Sequence, residues 1–142
     1  MSEAYKSLID AYIETLLWSS TDDDGTPIDR KYGIRHVNTD DRDKIESDIK
    51  KFESLVDASV IGTFENINDL TGNDYSRIMH DFVLTRNGCG AGFWDGDYDV
   101  NILDDSNNIL CNIGDKLTEL CKHFNTVDVY IGDDGNLCMW DS

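Results

Sequence analysis

The least ordinary stretch of this 142-residue chain runs Thr85-Arg86-Asn87-Gly88-Cys89-Gly90-Ala91-Gly92-Phe93-Trp94. Backbone amides of such a glycine-rich loop can cradle a phosphate, with Arg86 as the charged clamp. The run lacks the Lys-Ser/Thr pair of a Walker A loop and the strand–helix order of a dinucleotide fingerprint. Its surroundings also oppose an anion, because six acids and no base lie between Arg86 and Lys116. In the simpler reading the glycines serve conformation, supplying positive φ and room for Phe93 and Trp94 to pack across a turn. A pocket of Thr85, Arg86, Asn87, Phe93 and Trp94 is kept as the alternative, the centre of a small enzyme or ligand-binding module.

Cys89 beside His80 or His123 would make a thiol nucleophile with its base. A reactive thiolate wants positive surroundings, and only Arg86 is near, so Cys89 reads as an incidental loop cysteine. Cys89, Cys111, Cys121 and Cys138 are 22, 10 and 17 residues apart, which fits neither a zinc knuckle nor a C-x-x-C redox pair. The opening Met1-Ser2-Glu3-Ala4-Tyr5 lacks the basic region of a signal peptide, so free thiols in a reducing compartment are expected. Cys121 and Cys138 fall at apolar positions and read as small hydrophobes. Asp95-Gly96-Asp97-Tyr98-Asp99-Val100-Asn101 imitates the start of a calcium loop, but Val100 and Ser106 stand where an EF-hand needs Gly and Glu. No catalytic residue or cofactor is expected, nor a defined metal site, with weak, non-EF divalent binding by residues 95–101 left as the alternative.

The charge remains. Twenty-nine acids against 12 bases leave a net charge of −17, and 23 of the acids are Asp. That field repels nucleic acid and anionic membrane and attracts basic surfaces. Helix acids three or four residues apart stand about 5–6 Å from each other, while duplex DNA carries a phosphate every ~3.4 Å along each strand. Rows of Asp on a folded domain can thus stand in for a nucleic acid. The candidate contact residues are Glu3, Asp10 and Glu14 on one helix face, then Asp22, Asp23 and Asp24, then Asp95, Asp97, Asp99, Asp104 and Asp105. The plain alternative is a set of solvated acids that keeps the protein dispersed.

The elements that must carry these residues follow from periodicity. Tyr5, Leu8, Ile9, Tyr12, Ile13, Leu16 and Leu17 predict an amphipathic first helix, broken by Thr21-Asp22-Asp23-Asp24-Gly25-Thr26-Pro27. A second helix starts at Asn38 or Thr39 and buries Ile45, Ile49, Phe52, Leu55 and Val56. A short third helix covers about 73–80, reaching at most Phe82 before the chain extends. Asn87-Gly88 then predicts a hairpin or tight loop between β-prone runs. A fourth helix spans about 115–124, and a closing hairpin pairs Val127–Ile131 with Leu137–Trp140 across Gly132-Asp133-Asp134-Gly135. The order predicts one acidic α+β domain over residues 1–142, with N-terminal helices on a small antiparallel sheet of three to five strands and two hairpins flanking the fourth helix. No apolar run approaches the ~20 residues of a membrane span.

Several of these runs also resemble a family of small uncharacterised bacteriophage proteins. They are His80 to Asp95 with its Leu84-Thr85-Arg86-Asn87-Gly88 core, Gly114-Asp115-Lys116-Leu117-Thr118-Glu119, Val129-Tyr130-Ile131-Gly132-Asp133-Asp134-Gly135, and Leu17 to Gly25. Residues 38–72 match weakly. Cys89 replaces a frequent His, which speaks against an imidazole mechanism in that loop, and Val83 replaces a usual Trp. The resemblance implies a phage origin. Together with the charge it leads to a specific expectation: a non-enzymatic accessory protein in the host-cell cytoplasm, bound to a host protein with a basic surface. It would inhibit that nucleic-acid-binding protein as a DNA mimic or anti-defence factor, touching neither nucleic acid nor membrane directly.

Overall fold

The structure is a computed structural model that describes residues 3–22, 24–89, 91–132 and 134–141, without the side chains of residues 3, 4, 140 and 141. Its helices are α1 (Glu3–Trp18), α2 (Thr39–Asp57), α3 (Phe64–Thr71), α4 (Tyr75–Arg86) and α5 (Ile113–Cys121). Its strands are β1 (Asn101–Leu103), β2 (Ile109–Asn112), β3 (Val127–Ile131) and β4 (Leu137–Asp141). The fold is α+β. The four strands form two separate antiparallel ribbons, β1–β2 and β3–β4, one on each side of α5 in the chain.

Local chemistry sets the helix starts. Asn38, Thr63, Asp74 and Asn112 each precede a helix and accept the amide three residues on, satisfying a donor that the helix cannot. Gly72, at φ +79°, ends α3 in the left-handed conformation that glycine adopts without strain. Asp104 organises the β1–β2 turn by accepting the amides of Ser106 and Asn108, both at 2.8 Å.

The core joins the apolar stripes of α1, α2 and α4 to Phe93, Tyr98, Leu117, Val127 and Leu137. At its centre the rings of Phe52 and Phe82 stack with centroids 4.3 Å apart and planes 3° from parallel. Phe124 meets Phe82 edge-on at 5.0 Å. Offset and edge-on pairs of this kind contribute about 0.5–1.5 kcal/mol each beyond their burial.

Three local expectations give way to this packing. Leu84, Thr85 and Arg86 continue α4 instead of starting a strand, because Ile78, Met79, Phe82 and Val83 recur at helical spacing and are all buried. Asn87 and Gly88 accordingly close a helix: the Asn87 amide reaches the Val83 carbonyl at 3.1 Å and Gly88 takes φ +67°. The first hairpin lies further on, at 101–112. Short α3 carries too weak a periodic signal to be read, because Phe64 and Ile67 are its only buried residues.

Gly114 sits in the first turn of α5, where alanine would ordinarily favour the helix by about 1 kcal/mol. Here a Cβ would stand 2.6 Å from the Phe93 carbonyl oxygen, and backbone cannot swing aside. Gly114→Ala is expected to lose about 1–3 kcal/mol in denaturant unfolding. A gain in stability would contradict this close approach.

Candidate functional site

Arg86 is the most heavily engaged side chain of the glycine-rich region. Its residue is 6% exposed. One terminal nitrogen donates to Asp48 Oδ2 at 2.7 Å and to the Tyr12 hydroxyl at 3.1 Å. Nε and the other terminal nitrogen donate to the Asn125 carbonyl at 2.9 and 2.7 Å. The guanidinium also faces the Phe124 and Phe82 rings, 5.2 and 5.7 Å from their centroids. Planar, delocalised and weakly hydrated, an arginine suits this burial where a lysine would not.

Its neighbours in sequence are committed in the same way. Thr85 Oγ1 accepts the Phe93 amide at 3.0 Å, and Asn87 Oδ1 accepts the Val127 amide at 2.7 Å. Phe93 is buried and Trp94 is exposed. Phe93 and Trp94 border a depression of about 170 Å³ shared with Asp99 and Asp115, while Asn87 and Cys89 border another beside β3. Thr85, Arg86, Asn87, Phe93 and Trp94 thus do not meet around one cavity, and the clamp that a phosphate would need is turned inward. His80 accompanies Trp18 and Thr15 Oγ1 rather than Cys89, and Cys121 is buried, which pushes its thiol up.

The acidic residues divide sharply. Asp10 bonds Arg42 of α2 at 2.7 Å, so the helix face that looked free of bases receives one from 32 residues away. Asp97 bonds Arg77 at 2.8 Å. Asp22 and Asp104 hold turns through backbone amides, which keeps the Asp104 carboxyl below the usual aspartate range. Asp95 accepts the Gly92 amide at 3.4 Å, and Asp99 accepts from the Asn112 side chain at 2.8 Å. The three carboxylates of the calcium-like run therefore go to three different partners. Among the described residues no group of three or more His, Cys, Asp or Glu is placed to hold a metal ion. Glu14, Asp24 and Asp105 are exposed. Asp23 and the Glu3 side chain lie outside the described residues.

Two clusters were not legible in sequence. Asp81, 1% exposed, accepts from the Tyr98 hydroxyl at 2.7 Å and from Arg77 Nε at 3.1 Å, while its buried Oδ1 has no hydrogen-bond partner among the described residues. Burial pushes its carboxyl above the ordinary range, against the opposing pull of Tyr98 and Arg77. The second is a cavity of about 260 Å³ between α1, α2 and the β3–β4 hairpin, with Asp41 and Asp48 in its wall. The spacing of seven residues that puts both on one side of α2 was the available signal. The covering hairpin is distant in sequence.

No family model, curated protein or solved structure matches the chain. Among the described residues no helix is long and apolar enough to cross a membrane.

Arg86→Met leaves Asp48 and the Asn125 carbonyl without their donor. Asp48 keeps some solvent, with its side chain 24% exposed, so a loss of about 2–4 kcal/mol is expected in urea unfolding. A loss under ~1 kcal/mol would contradict the assigned role.

For Asp81 the folded protein binds a proton more tightly than the unfolded chain. Between the ordinary value of 3.8 and the raised folded one, folded molecules therefore hold more protons and stability falls as pH rises. The unfolding free energy of the wild type minus that of Asp81→Asn should decline through that window and then level off. A difference that grows with pH would reverse the sign of the shift.

Proposed function

We propose that this protein is a non-enzymatic accessory protein, of phage origin, that binds and inhibits a basic nucleic-acid-binding protein of the host through its surface carboxylates. One observation carries the reading: the surplus charge is not consumed within the fold. Among the described residues, ion pairs engage Arg42, Lys50, Arg77, Arg86 and Lys116, five of the 12 bases, with six carboxylates. Most of the other acids are exposed on helices, turns and the β1–β2 ribbon. They share one sign and face solvent, which favours steered encounter with a positive surface. The engagement of Arg86 inside the fold supports this reading over a phosphate-binding loop.

Geometry also decides how to test it. Reversing Asp97 or Asp104 would disturb the Arg77 pair or the β1–β2 turn, so the informative sites are Glu14, Asp24 and Asp105. Capture of host proteins by the tagged chain should yield basic nucleic-acid-binding proteins that duplex DNA competes away. Their binding should weaken about tenfold or more between ~50 and ~300 mM salt. Glu14→Lys/Asp24→Lys/Asp105→Lys should bind several-fold more weakly at low salt and melt like the wild type. Salt-insensitive capture, or undiminished binding by the triple variant, would refute the proposal.

A further inference from the structure

The cavity between α1, α2 and the β3–β4 hairpin holds a carboxylate in an unusual position. Asp41 is 7% exposed, yet its carboxylate makes no ion pair and no hydrogen bond with any described residue. Its main-chain amide donates to Asn38 Oδ1 at 2.8 Å, but nothing comparable reaches the side chain among the described residues. A carboxylate largely removed from water, as at this 7% exposed residue, costs free energy unless a cation or donors compensate it. The N-terminal turn of α2 supplies a field that favours negative charge there, without giving the group a partner.

The remaining wall defines what such a partner would be. Asp48, two turns further along α2, is already neutralised by Arg86 at 2.7 Å, so the uncompensated charge in the wall belongs to Asp41. Lys44 reaches the rim, is exposed, and forms no ion pair within 4.0 Å among the described residues. Ile45, Val127 and Met139 offer an apolar lining, and the half-exposed Tyr130 ring stands at the same cavity. Asp41 also lies close enough to Tyr130 to contribute to the raised titration of its phenol, after the larger effect of Cys138. An apolar sleeve, an aromatic face and a buried carboxylate together suit a group with a methylene stem and a cationic head. At about 260 Å³ the space falls below the ~300–1,000 Å³ of cofactor-sized sites and fits one side chain.

We propose that this cavity receives a lysine or arginine side chain of the partner, with Asp41 as its counter-ion. The assignment rests on the reading that the partner is a basic protein, and gives that partner an anchor beyond the diffuse surface charge. Anchors of this kind, desolvated and central, commonly dominate an interface.

The test needs no partner. Nα-acetyl-arginine methylamide and Nα-acetyl-lysine methylamide are titrated into the full chain at pH 7 and constant ionic strength, followed by NMR, with Nα-acetyl-norleucine methylamide as the neutral control. Saturable shifts are expected at Asp41, Lys44, Tyr130 and Met139 with the cationic probes alone. Asp41→Asn should weaken binding at least about tenfold. Lys44→Gln, at an exposed position, should tighten it about two- to fivefold by removing a competing cation. Equal binding of the neutral probe, shifts spread over the whole acidic surface, or affinities unchanged in both variants would overturn the assignment. If the probes fail while host capture remains salt-sensitive, the cavity assignment alone falls. If they bind while capture is salt-insensitive, the acidic-surface reading falls instead.

Discussion

A single guanidinium ties together segments that are far apart in the chain. Arg86, at the end of α4, reaches Tyr12 of α1, Asp48 of α2 and the Asn125 carbonyl between α5 and β3. It also caps the aromatic cluster of Phe82 and Phe124 from the side. A buried charge of this kind stabilises only when its hydrogen bonds are satisfied, and one removed partner exposes the full desolvation cost of the others. Through these contacts α4 is tied to α1, to Asp48 in the cavity wall and to the chain that enters the last hairpin. Asn87, the next residue, adds a second tie by receiving the Val127 amide.

The glycine-rich region that looks most chemical in the sequence is a junction: Thr85 holds Phe93, Asn87 holds β3 and Arg86 holds the core. Gly92 lets the chain pass close against α4, since a Cβ there would run into Thr85 Oγ1, and Gly114 of α5 does the same beneath the Phe93 carbonyl. Three kinds of carboxylate stand out on the molecule. Asp10, Asp81 and Asp97 are paired within the fold; Asp22 and Asp104 hold turns; Glu14, Asp24 and Asp105 face solvent. Of these three kinds, only the last can be reversed without breaking a contact within the fold.

The sequence reveals those parts of the fold whose signals are local and redundant. The Leu8-to-Leu17 stripe, the Asn38 cap, the Leu117–Leu120–Cys121 face and the turn between β3 and β4 each state their element directly. Where local preference met a long-range demand, the demand won. The β-prone Val83 and Leu84 and the turn-like Asn87-Gly88 belong to a helix and its end, because Phe82 and Arg86 must face the same core. The Asp10–Arg42 pair and the Asp41 cavity depend on how α1, α2 and the last hairpin come together. No spacing within one segment encodes that.

Whether Arg86 belongs to the frame or to a ligand site can be read from one nucleus. The Nε–H resonance of Arg86 should exchange with water much more slowly than those of Arg30 and Arg35, which are exposed. Inorganic phosphate should leave it unmoved. Exchange as fast as theirs, with a saturable phosphate shift, would place the arginine in a ligand site and contradict the account.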